Sequence, residues 1–379
     1  MLHTDLLILQ PTPFCNLDCS YCYLPDRDNR LTISDAVVDA VFGGLLPSRF
    51  VDGRLTVCWH AGEPLVLPPE RYESWFSCAE RHRPVGLEIC HALQSNGTLL
   101  NARWVKLIQN WPARVSLSID GPAWLHDLKR RTRRGGGTHA AAMRGLRVLQ
   151  EAGLCPPVIT VLTRKALDAP DELFEFYRNA GIRDVAFNVE EVEAAHVGDD
   201  LLDPGYEAAF ETFIRRFLAR MAQDPGVLEL REHRAAMSVL TCGSLPNGMN
   251  QETEPMRIVS VSAEGDVSTF SPELLGMQDT RYGSFTFGNV LRDNFDTIAD
   301  RVLGSRLAAD IRAGVGSCHR SCAWYGACGG GSPSNRLYET GSFRIAETAY
   351  CRLTRQAVLR AVLDLGSVAR PAAVLAAAR

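Results

Sequence analysis

Short apolar runs alternate, through the first half of the chain, with stretches in which apolar residues recur every three or four positions. Leu6–Gln10, Arg54–Trp59, Leu87–Leu93, Arg114–Ile119, Pro157–Leu162 and Asp184–Val189 have the length and content of buried strands. Between them the spacing predicts helices over Ser34–Leu46, Glu70–Arg81, Asn101–Asn110, His139–Ala152 and Asp171–Ala180. Thr32 or Ser34 caps the first helix, and Gly153 and Gly181 stop the last two. Short, mostly apolar strands joined through helices predict a parallel sheet covered by helices. Such units close into a full or partial barrel with the working loops at the C-terminal strand ends. The alternative is an open doubly wound sheet, weakened because no G-x-G-x-x-G turn follows the first strand.

The pattern changes after Asp203-Pro204-Gly205. Two helices are predicted over Tyr206–Gln223 and Leu228–Leu240, broken at Asp224-Pro225-Gly226. Met256–Ser262 and Asp266–Phe270 flank Ala263-Glu264-Gly265 and read as a hairpin. A helix follows over Asn294–Leu307, then a cysteine- and glycine-rich loop from Ser317 to Asn335, then a helix over Tyr350–Leu365. The Ala-rich end, to Arg379, continues that helix or frays. The expected organisation is a barrel over 1–205, a helical linker over 206–241, a small α+β domain over 242–365 and a tail over 366–379.

Composition narrows the function classes. An apolar fraction of 46% and a charged fraction of 22% are those of a globular protein. A net charge of −4 gives no global basic field, so no nucleic acid partner is expected. No apolar run approaches the roughly 18 residues of a membrane span, and the first residues lack the marks of a secretory signal. A cytoplasmic location is expected. Twelve cysteines are then unlike a disulfide framework, and clustered ones point to metal.

Cys15, Cys19 and Cys22 sit at C-x3-C-x2-C spacing just after the first strand. Three close thiolates can face one iron–sulfur cube and leave its fourth iron open. A second set, Cys318, Cys322, Cys328 and Cys351, offers four thiolates among Gly326, Gly329, Gly330 and Gly331. Four ligands leave no open iron, so this set either moves electrons or holds the fold, and a structural zinc is the alternative. Cys58, Cys78 and Cys90 read as small buried hydrophobes, while Cys242 is ambiguous. Polar residues gather after the predicted strands: Ala61-Gly62-Glu63-Pro64, Gln94-Ser95-Asn96-Gly97, Ser118-Ile119-Asp120-Gly121 and Asn188-Val189-Glu190-Glu191. Together they predict a polar rim able to hold an amine, a carboxylate and a ribose near the open iron. The basic run Arg130-Arg131-Thr132-Arg133-Arg134 reads by itself as a solvated loop.

On these residues the chain resembles the radical S-adenosylmethionine (SAM) enzymes, whose C-x3-C-x-aromatic-C signature is met by Cys15, Cys19, Tyr21 and Cys22. The resemblance implies a partial (β/α)6 barrel holding a 4Fe–4S cluster, with SAM chelating the open iron. Ala61-Gly62-Glu63-Pro64 stands where the family carries Gly-Gly-Glu-Pro, so Glu63 is expected to bind the methionyl amine and Ala61 to be tolerated. Ser95, Ser118, Asp120 and Asn188 are expected near the cofactor's polar groups, and Arg130 near its carboxylate. The C-terminal part resembles the SPASM extension of peptide-modifying members. Cys318, Cys322, Cys328 and Cys351 match one auxiliary 4Fe–4S cluster. The other is not matched, because Phe270 and Ser332 stand at cysteine positions, and Cys242 is its one remaining thiol.

The stretches Phe187–Glu191, Ser268–Gly276, Phe287–Val290 and Cys328–Arg336 are similar to maturases that form three-residue cyclophanes in ribosomal peptides. That resemblance implies a precursor peptide substrate, an electron donor such as flavodoxin or ferredoxin, and a carbon–carbon crosslink from an aromatic ring to the Cβ of a residue two positions later. The proton released needs a base, and Asp, Glu and His residues all remain candidates. Leader recognition is expected within the core or from another protein, since the cysteine motif begins at residue 15. The rivals are thioether formation or sulfatase maturation and, outside enzymes, a zinc-stapled binding scaffold.

Overall fold

A computed structural model describes residues 2–191, 203–243, 245 and 249–368, so the Ala-rich end from 369 lies outside the described residues. Six parallel strands carry the first half: β1 (Leu6–Leu9), β2 (Arg54–Trp59), β3 (Glu88–Ser95), β4 (Ala113–Ser118), β5 (Val158–Leu162) and β6 (Asp184–Val189). Their side chains alternate more than a doubly covered sheet requires. In β2, Leu55, Val57 and Trp59 are fully buried toward the helices, while Thr56 and Cys58 are half-buried on the other face. In β5, Val158, Thr160 and Leu162 point one way, and Ile159 and Val161 line a cavity on the other. One face of the sheet therefore packs on helices and the other wraps a lumen.

Packing on the helical side explains the order of the units. Trp59 stacks on Trp75 with centroids 5.1 Å apart, and Tyr72 meets both edge-on. Trp75 and Tyr72 come from the helix Pro69–His82, which the Pro68-Pro69 pair starts. Ser34 caps the preceding helix Asp35–Leu45, its side chain accepting from Val37 N, and Asn101 caps Ala102–Asn110.

The C-terminal part joins the same sheet. A short β7 (Glu229–Leu230) extends it beyond β6, and β8 (Ile258–Val261) pairs in parallel with β1, Leu7 opposite both Val57 and Val259. The hairpin partner β9 (Asp266–Thr269) is antiparallel to β8. A separate ribbon forms from β10 (Gln278–Asp279) and β11 (Gly283–Ser284), and β12 (Gly288–Asn289) closes the edge beside β9. The order β12-β9-β8-β1-β2-β3-β4-β5-β6-β7 leaves the sheet open at both ends, as a partial barrel is.

Three differences from the sequence reading matter for the site. The segment Ala123–Lys129, to which the sequence reading assigned no element, is a helix started at Pro122. The single helix over Asn294–Leu307 is two, Phe295–Leu303 and Arg306–Ser321, because Ser305 caps the second by accepting from Ala308 N. The loop Ser317–Asn335 is largely helical: Cys318 lies in the last turn of Arg306–Ser321, Cys322 follows its end, and Cys328 ends the short helix Tyr325–Cys328. Glycine and cysteine composition marked the turns between these pieces and hid the pieces themselves. The final helix starts at Ala349–Cys351, widens into a π turn over Arg352–Ala357 and resumes over Val358–Val368. Such a turn re-aims side chains, here Thr354 and Arg355, which line the central cavity.

Candidate functional site

The loops after β1 to β6 converge on one cavity of about 550 Å³. Its walls include Cys15, Cys19, Tyr21 and Cys22 after β1, Glu63 after β2, and Ser95 and Asn96 at β3. Ser118 at β4, Asn188 at β6, and Arg130 complete that side. Of the residues expected at the cofactor, Asp120 alone does not line the cavity.

The thiol loop is pinned from several sides. Asn16 donates to Thr98 Oγ1 at 2.9 Å and accepts from Asn96 Nδ2 at 2.9 Å, which ties the loop to the end of β3. Asp18 N and Ser20 N donate to the carbonyls of Arg131 and Lys129 at 2.8 and 3.0 Å. Arg133 Nε donates to the Cys15 carbonyl at 2.8 Å, and its guanidinium also bonds Asp28 and the Arg27 carbonyl. The basic run is therefore a brace for the cysteine loop at Arg133 as well as a site residue at Arg130, which corrects its reading as a solvated loop. Charge pattern alone does not show a backbone carbonyl over a hundred residues away in sequence.

Glu63 is buried and its carboxylate is fixed by three donors. Oε1 accepts from Leu65 N at 2.9 Å and Ser95 Oγ at 2.8 Å, and Oε2 accepts from Asn96 N at 2.8 Å. Burial pushes this carboxyl up, against those hydrogen bonds. An ammonium group beside it would restore the charge balance. The turn before it is tight: Ala61 and Gly62 both lie in the left-handed region, at φ 73° and 64°. A Cβ on Gly62 would collide with the Thr12 and Phe14 carbonyls, so glycine is required there, whereas Ala61 carries its Cβ at the cost of backbone strain.

Asp120 lies one layer behind the wall. Its Oδ2 accepts from Arg130 Nε at 2.9 Å and from the Tyr21 hydroxyl at 2.5 Å, and its Oδ1 accepts from Val161 N at 3.0 Å. It thereby aims Arg130 and Tyr21, two cavity residues, from behind. Burial works against the Arg130 charge, yet Asp120 and Tyr21 hold the guanidinium above its ordinary range. His126 and Asp127 support this corner. His126 Nδ1 accepts from Asp120 N at 3.2 Å, and Asp127 Oδ1 accepts from Thr138 N and His139 N at 2.7 and 2.8 Å, capping the helix His139–Glu151. Gln94, named only within a polar rim, donates to Ser118 Oγ at 2.9 Å, and Arg231 donates to Asn188 Oδ1 at 2.8 Å.

The C-terminal part lines the same cavity with Glu252, Glu273, Tyr350 and Arg355, and Glu191 joins them from the loop after β6. Burial, reinforced by the neighbouring Glu252 and Glu191, pushes the Glu273 carboxyl up to about 8. Asn335 Nδ2 donates to Glu191 Oε2 at 2.5 Å, and Tyr338 donates to the Glu273 carbonyl at 3.3 Å. Glu191 was named in the polar rim, whereas periodicity gave no sign of Glu252 and Glu273, which lie on short turns flanking the hairpin.

Among the described residues neither cysteine set gathers three ligand atoms within 4.8 Å. Four thiolates on one zinc at about 2.3 Å would lie about 3.8 Å apart. Among the described residues, the one set of His, Cys, Asp or Glu ligand atoms gathered within 4.8 Å is Asp39, Cys78 and His82. That set is a hydrogen-bonded surface cluster in which His82 and Cys78 share Asp39 Oδ1, at 2.9 and 3.5 Å. Cys318, Cys322, Cys328 and Cys351 stand near enough to feel one another's charge without that tight gathering. In the N-terminal set, burial pushes Cys15 up to about 12 and Cys19 up to about 11, and a bound metal's positive charge would act against that burial. Cys328 opens onto a second cavity of about 310 Å³ that shares Glu232, Gln251, Thr354 and Arg355 with the first. At the positions of the unmatched second auxiliary set, Cys242 is exposed, Phe270 is buried at φ 75°, and Ser332 Oγ lies 3.0 Å from Ser334 Oγ.

Among the described residues no helix is long and apolar enough to cross a membrane.

Comparison with known proteins agrees with this geometry. The model of the Radical SAM superfamily matches residues 9–164. An uncharacterised protein of Synechocystis sp., sll1766, is 38% identical over 366 residues, covering 95% of this chain and 91% of its own. The serine-type anaerobic sulfatase-maturating enzyme of Klebsiella aerogenes is 31% identical over 148 residues, which is 38% of this chain and 36% of that enzyme. Among solved structures, native anSMEcpe with bound AdoMet shares the fold at a TM-score of 0.76, with 19% identity over 95% of this chain and 97% of that one. Streptococcus suis SuiB bound to S-adenosylmethionine does so at 0.61, with 16% identity over 92% of this chain and 77% of that one. A match that runs through the cysteine loop and strands β2 to β5, together with a relative alike over nearly its full length, means that this chain belongs to the radical SAM superfamily.

Proposed function

We propose that this protein modifies a ribosomal precursor peptide, joining an aromatic ring to the Cβ of a residue two positions later by a carbon–carbon bond. The observation that carries the reading is the single cavity itself. Cys15, Cys19, Cys22, Glu63 and Arg130 line it together with Glu273. When bound, SAM and two 4Fe–4S clusters supply a carbon-centred radical and an electron acceptor. The chain's own residues do the rest. Glu63 holds the methionyl amine, and Arg130, aimed by Asp120, meets the carboxylate. Ser95, Ser118 and Asn188 hold the remaining polar groups, and Tyr21 closes the side beside Arg130.

Glu273 takes the proton that leaves the ring. With its carboxyl pushed up to about 8, it is matched to accept a proton near neutral pH. Glu252 and Glu191 lie beside it and push its carboxyl further up. The auxiliary cluster belongs to Cys318, Cys322, Cys328 and Cys351. The open edges at β7 and β12 offer places for an extended leader to add as a strand. Peptide-bound relatives of the same fold, anSMEcpe with the Kp18Cys peptide and SuiB with precursor peptide SuiA, support a peptide in the cavity. Electrons come from a flavodoxin or ferredoxin.

The test is co-expression with a short precursor encoded nearby. Tandem mass spectrometry should find two hydrogens lost per crosslink, with the aromatic residue and its partner held in one fragment. A product linked through sulfur, or a formylglycine, would replace this reading with thioether formation or sulfatase maturation.

A further inference from the structure

Arg336 is 1% exposed, yet among the described residues it meets no carboxylate. Its guanidinium donates to Cys318 Sγ at 3.1 Å, to the Phe343 carbonyl at 3.4 Å and to the Gly330 carbonyl. The ionisable groups that act on it are the thiols of Cys318, Cys328 and Cys351. A buried cation without an anion is strongly disfavoured. The fold nevertheless makes room for this one: Gly314, in the middle of the helix Arg306–Ser321, faces Arg336 Nη1, and a Cβ there would collide with it and with the Phe343 carbonyl. Glycine inside a helix is itself unfavourable, so the position of the guanidinium is built in.

We infer that Arg336 is the counter-cation of the centre held by Cys318, Cys322, Cys328 and Cys351, and that it holds the reduction potential of that centre high. This rests on the reading of an auxiliary cluster given above. A fixed positive charge and an N–H bond at a ligand sulfur both favour the reduced, more negative form of a cluster. Arg336 thus biases the site toward accepting an electron from the substrate side, as the proposed reaction requires.

The test uses full-length protein in which Cys15, Cys19 and Cys22 are replaced by alanine, so that any remaining cluster is the auxiliary one. Iron is counted first. About four irons per chain are expected, and none would remove the cluster reading together with this inference. The midpoint potential is then followed by electron paramagnetic resonance during redox titration. Arg336→Met should make reduction at least tenfold less favourable, about 59 mV for one electron, while Arg336→Lys keeps most of the potential. If Arg336→Met sheds its iron and Arg336→Lys retains it, charge is again what the site needs. An Arg336→Met protein with full iron and an unmoved potential overturns the inference and leaves the cluster reading intact. Loss of iron from both variants also overturns it, because shape rather than charge is then the requirement.

Discussion

Replacing Asp120 by asparagine tests whether the cavity is held from behind. Asp120 receives three donors on two oxygens, Arg130 Nε and the Tyr21 hydroxyl on Oδ2 and Val161 N on Oδ1. Asparagine offers one oxygen. If it faces Arg130 and Tyr21, its amide group meets Val161 N–H, donor against donor, and a buried backbone group goes unpaired. If it turns over, both side chains lose their acceptor. In either case Arg130, 7% exposed, loses the carboxylate it is paired with. Breaking a buried pair in this way costs about 3–5 kcal/mol. For 379 residues, an unfolding entropy of about 2.1 cal/mol/K per residue gives about 0.8 kcal/mol/K, so the melting midpoint should fall by about 4–6 °C. Anaerobic thermal melts of the metal-free protein measure this, and equilibrium dialysis of the reconstituted protein should show weaker SAM binding. A midpoint within about 1 °C of wild type, with unchanged SAM affinity, would refute the claim that Asp120 positions Arg130 and Tyr21.

Other outcomes follow from the same geometry. Ala61→Gly relieves a residue held at φ 73° and should stabilise the fold by about 1 kcal/mol in urea titration. Cys19→Ala should abolish SAM cleavage, read as 5′-deoxyadenosine by chromatography, whereas Cys328→Ala should spare some cleavage and block peptide product. Glu273 is pushed up from 4.5 to about 8 in the fold, so the native state binds the extra proton and stability falls as pH rises from about 4.5 to 8. Glu273→Gln should match wild type near pH 5 and exceed it by on the order of 1–3 kcal/mol at pH 8, as urea midpoints across pH would report.

Much of the barrel was legible because its signals are local. Strand and helix boundaries fell close to those read from apolar spacing, and Ser34 and Asn101 cap the helices that such residues start. The three-thiol loop was legible for the same reason, being eight residues of specific spacing after a strand. Asp120 was picked out by its place at a strand end, yet its task is set by Tyr21 and Arg130, 99 and 10 residues away. Arg133 looked like part of a charge run, and only folding brings it over the Cys15 carbonyl. The cysteine- and glycine-rich segment misled because glycine is read as loop, while here it also ends short helices, as Gly329 does at φ 64°.

The sequence by itself determined the alternation of strands and helices, the two cysteine sets and the polar strand ends, since each depends on neighbours within a few residues. Tertiary structure decided which of these meet. It drew β8 alongside β1, so that the C-terminal carboxylates and the thiol loop line one cavity. It also buried Arg336 against Cys318 with Gly314 making way. Contacts between residues far apart in the chain depend on how whole elements pack, and burial, which sets the charge of Glu63, Glu273 and Arg336, exists only once they have packed.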